Sequence, residues 1–406
     1  MKELKSVPEL RFPEFTCGWE KNKLRDVTNI YDGTHQTPKY LESGVKFVSV
    51  ENINNLEGTD KYISAEAFEK GFKIKPRRDD ILMTRITAGV IGATAIVPNN
   101  NPLGYYVSLA LIRKKGEIDT RFLDYKINTE QFKNELHKRI IHVAFPKKIN
   151  LGDIGDCIIT KTSLPEQTKI ANFLTTVDKR INLLTQQKEK LEQYKKGVMQ
   201  QIFSQQIRFK DEHGNAFPEW EEKRLGEITT YVDYRGKSPI KMDSGIFLVT
   251  AKNIKNGYID YECSKEYISE SDYNEVMKRG FPQNGDVLFT TEAPLGNVSQ
   301  IDNEKIALAQ RVIKFRGKNV LDNSFLKYYM LSDKFQNVIQ KKAIGSTVKG
   351  IQGKVLHKLT IGLPLLKEQQ KIASFLSSID KKIELVNQQI EQTKTWKKGL
   401  LQKMFV

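Results

Sequence analysis

One long stretch occurs twice in this chain, and the rest of the sequence falls evenly around the two copies. Residues 166–203 (EQTKIANFLTTVDKRINLLTQQKEKLEQYKKGVMQQIF) return as residues 368–405 (EQQKIASFLSSIDKKIELVNQQIEQTKTWKKGLLQKMF), without a gap and with half of the positions identical. Such self-similarity marks a duplication. In the first copy Ile170, Leu174, Val177, Ile181, Leu184, Leu191, Val198 and Ile202 recur at steps of three, four or seven. In the second, Ile372, Leu376, Ile379, Ile383, Val386, Ile390, Leu400 and Met404 recur at steps of three or four, with one longer step of ten. This spacing predicts a long helix with one apolar seam and Lys, Glu and Gln on its other faces. Pro165 and Pro364 stand just upstream, where proline suits a helix start. Each helix would run roughly 57 Å at 1.5 Å per residue. A seam of that length needs cover, so the two helices are expected to pair as an antiparallel coiled-coil spacer with pseudo-two-fold symmetry. An amphipathic pair inside an ordinary helical bundle would show the same pattern; the even division of the chain favours the spacer.

The 406 residues suffice for two or three domains with their own cores. No apolar run approaches the ~18–20 residues of a membrane span. The opening MKELKSVPEL lacks the apolar core of a signal peptide. Cys17, Cys157 and Cys263 are far apart and occupy unmatched places in the two halves, which suits reduced thiols in a cytoplasmic protein with no membrane association. Net charge is +16. Each long helix carries seven basic and four acidic residues, so most of the excess lies on the globular parts. A strongly basic chain of this kind points first to nucleic acid, through an attraction that is independent of base sequence.

The repeat extends beyond the helices. FPEF at 12–15 answers FPEWE at 217–221, SGVKFVSVENI at 43–53 answers SGIFLVTAKNI at 244–254, DILMT at 80–84 answers DVLFT at 286–290, and FLDY at 122–125 answers FLKY at 325–328. The β-branched and aromatic runs, bounded by Gly, Asn and Asp, read as strands with turns between them. The expected class is α+β, with two similar strand-rich domains at 1–163 and 205–363 alternating with long helices at 164–204 and 364–406. Strand order is not legible at this level.

Catalytic signatures are missing. No Gly-rich phosphate loop ends in Gly-Lys-Ser/Thr. An amino-methyltransferase needs an Asn/Asp-Pro-Pro-aromatic loop. The nearest segment, Asn101-Pro102-Leu103-Gly104, lacks both the second proline and the aromatic. The five histidines, His35, His137, His142, His213 and His357, have no metal-ligand spacing. The acidic pair Asp79-Asp80 reads as turn residues. The expectation is a non-enzymatic chain with no metal site and no cofactor of its own.

The helix starts carry the closest family likeness. LPEQTKIANFL at 164–174 and LKEQQKIASFL at 366–376, closed by Asp178 and Asp380, resemble the Pro-x-x-Glu-Gln-x-x-Ile-Ala-x-Phe-Leu…Asp run of the specificity subunits of type I restriction-modification enzymes. In the first copy Pro165 directly precedes Glu166, whereas Pro364 stands four residues before Glu368. AIGSTVKGI at 343–351 also resembles that family's Gly-Ser-Thr loop, but its expected counterpart, HVAFPKKI at 142–149, departs from the pattern. The likeness spans essentially the whole chain. It implies that each domain is a target-recognition domain reading one half of a split double-stranded DNA site. It further implies that the helices hold the two apart and dock two modification subunits, which bring S-adenosylmethionine and adenine-N6 methylation. Restriction subunits would add ATP- and Mg-dependent translocation and cleavage.

Readers of sequence should lie where the scaffold is shared and side chains differ. Arg85-Ile86-Thr87 stands opposite Thr291-Glu292-Ala293, and Thr34-His35-Gln36-Thr37 opposite Tyr234-Arg235-Gly236-Lys237-Ser238. Glu51-Asn52 and Asn54 stand opposite Lys252-Asn253 and Lys255. Arg suits guanine, and Asn or Gln suits adenine, through paired hydrogen bonds to base edges. Lys39, Lys147, Lys148, Lys349 and Lys354 suit phosphates, and Ser346 lies in the Gly-Ser-Thr loop. His35 alone suits a plain loop residue better than a reader of bases. Two other classes fit the sequence. One is a self-contained DNA-modifying enzyme, which methyl transfer by the purified chain would reveal. The other is a non-specific nucleic-acid scaffold, which would be displaced fully by random duplex.

Overall fold

The runs matched between the two halves form the same strands in the same order. In the computed structural model, which describes residues 7–234 and 239–406, the chain divides into two compact units. The first is Met1–Thr185 with Gln388–Val406, and the second is Gln186–Asn387.

In the first unit a four-stranded antiparallel sheet runs in the order Thr28–Asp32, Leu109–Lys114, Ile81–Thr84, Thr94–Ile96. A three-stranded sheet places Val45–Val48 between antiparallel Tyr62–Ile63 and parallel Leu103–Tyr105. The second unit repeats both. Its four-stranded order is Thr229–Asp233, Val312–Gly317, Val287–Thr291, Leu295–Gln300. Ile246–Val249 lies between Tyr267–Ile268 and Ile306–Leu308. Sequence landmarks mark anchor points of this scaffold. Asp80, only 2% exposed, is a buried partner of Arg113, accepting at 2.9 and 2.6 Å, and so does more than shape a turn. Asp286 accepts from Arg316 in the same way, at 2.6 and 2.8 Å.

The repeated stretches are continuous helices, Leu164–Phe203 and Leu366–Lys403. The first begins at Leu164, so Pro165 falls in its first turn. Within the second unit, Lys195 bonds Asp380 (2.5 Å) and Lys188 bonds Asn387 (2.9 Å), so the two helices run antiparallel there. Within the first unit, Lys397 meets Asp178 at 2.6 Å in the equivalent arrangement. The seams are covered by more than each other. Ile170, Leu174 and Val177 pack with Leu400, Met404 and Phe405 and also with Trp19, Phe122 and Tyr125 of the globular part. In the second unit Ile372, Leu376 and Ile379 share a core with Val198, Ile202, Phe203, Phe325 and Tyr328. Midway, Leu184, Val386 and Ile390 are buried, while Ile181, Ile383 and Leu191 are half-buried.

The paired Glu-Gln at each helix start turns out to be the joint between helix and domain. Glu166, 1% exposed, accepts from Arg11 Nε (2.7 Å) and Nη2 (2.8 Å), from Trp19 Nε1 (3.4 Å) and from the Thr162 hydroxyl. Gln167 accepts from Asp119 N at 2.9 Å and donates to Thr162 O at 2.6 Å. Glu368 holds Arg208 and Trp220, and Gln369 holds Asp322 N, in the same way. Tyr125 and Tyr328 complete the joint, each donating to the helix aspartate at 2.7 Å. Burial pushes both phenols well above their ordinary range, which keeps them as donors. Glu166→Ala would leave the half-buried Arg11 guanidinium and the Trp19 N–H without their buried acceptor, a loss of about 2–3 kcal/mol. Denaturant unfolding of the full chain should then show the first unit melting early and the second unchanged; a shift below about 1 kcal/mol would contradict this role.

Candidate nucleic-acid interface

In the first unit, strand Thr28–Asp32 ends in a carboxylate that organises the neighbouring turn. Asp32 accepts from Arg85 Nη2 at 2.9 Å and from Gly33 N at 3.1 Å, and meets His35 Nε2 at 2.7 Å. Arg85 also donates to Ile149 O at 3.3 Å, and its own carbonyl accepts Ile149 N at 3.0 Å. Ile86–Thr87 pairs antiparallel with Lys147–Lys148. Thr34 donates its N–H to Tyr105 O, and Val107 N returns to Thr34 O. These bonds bring the 33–37 turn, the 85–87 segment and the 141–149 loop to one corner of the unit. His35, Gln36, Lys39, Lys147 and Lys148 are exposed there, and Thr34 and Thr87 are half-buried.

The second unit builds its corner with the same backbone bonds. Ile351 N donates to Thr291 O at 3.0 Å, and Thr291 N donates to Arg311 O at 2.8 Å. Ser346 and Lys349 are exposed on the 344–350 loop beside it, and Lys354 is exposed on the short helix Gly353–Leu356. Arg235 and Lys237 lie outside the described residues. The turn with exposed Lys252 is tied instead to the edge strand, through Gly257 N to Val298 O (2.7 Å) and Asn297 Nδ2 to Ile254 O (2.8 Å). Lys255 is half-buried, its ammonium on Lys252 O.

Three expected readers are instead struts of the fold. Arg85 is 7% exposed and gives Nη2 to Asp32 and Nη1 to Ile149 O, so its guanidinium is held inside the fold rather than presented to a base. Thr291 is 2% exposed and its hydroxyl donates to Arg311 O. Asn253 is fully buried: its Oδ1 accepts from Thr250 N and Oγ1, and its Nδ2 donates to Asp260 O and Ser264 O. Half-buried Asn52 commits its Oδ1 to Ser49 N in the same turn, leaving exposed Asn54 as the reachable amide. The clue was in the repeat, since an asparagine kept in both otherwise divergent copies belongs to the scaffold. Sequence reasoning also missed Arg311. Its guanidinium is about half exposed and pairs with Glu292 at 2.6 Å at the second corner.

Among the described residues, no group of three or more His, Cys, Asp or Glu could hold a metal ion, and no helix is long and apolar enough to cross a membrane. All three cysteines are free. A duplicated scaffold whose two units carry differently furnished basic corners fits a binding subunit with two sites. Residues 17–193 and 218–395 match the type I restriction modification DNA specificity domain. The chain is 30% identical over 425 residues to the type I restriction enzyme MjaVIII specificity subunit of Methanocaldococcus jannaschii, covering 98% of this chain and 94% of that one. It is 26% identical over 400 residues to the putative MjaX specificity subunit of the same organism, covering 94% and 92%. The crystal structure of the type I restriction-modification S subunit from M. genitalium aligns with a TM-score of 0.58 at 15% identity over 99% of both chains, a likeness of fold. This chain belongs to the type I restriction-modification specificity family, as a non-catalytic specificity subunit with two recognition domains.

Proposed function

We propose that each unit reads one half of a split double-stranded DNA target from its basic corner, and that the chain thereby addresses chemistry performed by partner subunits. The observation that carries this reading is that both corners are built by the same backbone bonds yet furnished with different exposed side chains. The first presents His35, Gln36, Lys147 and Lys148; the second presents Arg311, Ser346, Lys349 and Lys354. Gln36 and Arg311 have the donor geometry to distinguish bases, and the lysines suit phosphates. Lys39, Asn54, Lys252 and Lys255, together with Arg235 and Lys237, stay within the proposed DNA-facing set.

The long helices support the docking of two modification subunits. In the first unit Leu183 and Trp396 are 61% and 52% exposed; in the second Leu385 and Tyr194 are 55% and 52% exposed. These pairs occupy equivalent positions of the duplicated stretch, so each unit presents one leucine and one aromatic of like placement. Large exposed apolar residues set among charges suit protein contact. S-adenosylmethionine would belong to those partners, and ATP and Mg to the restriction subunits, within the cytoplasm. Leu183→Asp with Trp396→Asp should cut bound modification subunits from two to one by native mass spectrometry; retention of both would refute that surface.

The purified chain with S-adenosylmethionine and duplex DNA should transfer no methyl groups. Adding modification subunits should yield adenine methylation at a split motif, mapped by sequencing. Transfer by the highly purified chain alone would overturn the reading in favour of a self-contained enzyme. Complete competition by random duplex would overturn it in favour of a non-specific scaffold.

A further inference from the structure

The 142–147 loop of the first unit is a projecting point on a fixed base. Ile141 N donates to Lys148 O at 2.8 Å, Lys147 and Lys148 pair with Thr87 and Ile86, and Ile149 N is held by Arg85 O. At its tip Val143 is 97% exposed and Phe145 is 90% exposed, more than any other large hydrophobic among the described residues. Phenylalanine is among the side chains most often buried. Here one stands in water beside exposed Lys147 and Lys148, on the corner that gathers His35 and Gln36. An apolar tip on a cationic base matches the chemistry of a duplex, which offers phosphates outside and stacked apolar faces within.

The second unit holds a loop in the same place with a different tip. Ile344 and Gly350 exchange both backbone bonds at 2.9 Å, and Ile351 N is held by Thr291 O. Between them stand Gly345, Ser346, Thr347, Val348 and Lys349; Ile344 at the base is 61% and Val348 at the tip 54% exposed, and the loop has no aromatic side chain.

We infer that Phe145 is a wedge that enters the base stack of the half-site read by the first unit and unstacks one base step, and that the second unit leaves its half-site stacked. The inference rests on the DNA-recognition reading above. Apolar side chains inserted between base steps are an established way to kink a duplex, and base–aromatic contact needs no particular base. Phe145 therefore contributes affinity and DNA shape, and leaves base identity to His35, Gln36 and their neighbours.

The test uses the full chain with its modification subunit and duplexes carrying 2-aminopurine at successive positions of each half-site. A rise at the adenine to be methylated is set aside, since flipping by the modification subunit would give it. The wild-type complex should raise fluorescence at one further step, in the first unit's half-site only. Phe145→Ala should abolish that rise and weaken specific binding by about tenfold or more, with the salt dependence unchanged because no phosphate contact is lost. Phe145→Trp should retain both. Specific binding without a second rise, or a rise that survives Phe145→Ala, would refute the wedge and leave the recognition reading intact. Loss of modification-subunit association in Phe145→Ala, with DNA distortion unchanged, would refute it by showing a protein contact. Failure of the wild-type complex to bind any sequence specifically would sink the recognition reading as well.

Discussion

A chain cut after Phe203 is expected to assemble as a symmetric dimer and to direct methylation to a palindromic split site. The cut removes Leu400, Met404 and Phe405, which fill the core around Trp19 and Phe122. Phe405 lies with its ring 5.2 Å from Phe122 and 6.0 Å from Trp19. The repeat places Val198, Ile202 and Phe203 at the corresponding positions. In the second unit Phe203 already fills the like slot, 6.0 Å from Phe325 and 6.4 Å from Trp220. A second copy of 1–203 therefore carries side chains shaped for the vacated place. Its Lys195 can meet Asp178 as Lys397 does, since Lys195 meets Asp380 in the intact chain. Each well-buried Leu or Ile contributes about 1.5–3 kcal/mol, enough over the seam to hold the dimer at micromolar concentration. A two-fold axis puts identical readers at both ends, facing opposite ways. Residues 1–203 co-expressed with the modification subunit should then methylate an inverted repeat of the first half-site. Methylation at the parent asymmetric motif, or soluble inactive monomer, would count against this.

Lengthening the helices should change the gap between half-sites without changing their bases. The division between the units falls at Thr185–Gln186 and Asn387–Gln388. Four residues inserted at Gln186-Gln187 thus avoid the helix–domain joints at Glu166 and Glu368. Four residues add ~6 Å and about 40° beyond a full turn, comparable to roughly two base-pair steps of ~3.4 Å. Because the helices are paired, an insertion in one alone can be partly absorbed, giving a change nearer one base pair. A matching insertion after Asn387 should bring it to about two. Methylation-motif sequencing reads the result. Altered bases within a half-site and an unchanged gap would show that the helices do not set the spacing.

The duplication, the helices and the paired-domain plan were legible because they are written in local periodicity. A seam repeating every three or four residues specifies a helix before any partner is known, and its return after the second strand-rich stretch specifies a second domain of like kind. Matched runs such as DILMT and DVLFT marked strands for the same reason. The order of those strands was decided only by the fold. Val45–Val48 lies parallel to Leu103–Tyr105, and no local pattern encodes a pairing so distant in the chain. The candidate site divided along the same line. Residue type suggested Arg85 as a reader of guanine, but Asp32, 53 residues earlier, claims its guanidinium. HVAFPKKI and AIGSTVKGI could be matched by position, but why they are equivalent was not legible, because those loops share the carbonyls of Arg85 and Thr291 as anchors and almost no side chains. Backbone bonds leave little trace in sequence. Local periodicity therefore determined which elements this chain contains, and tertiary packing decided which side chains those elements bury and which they leave in water.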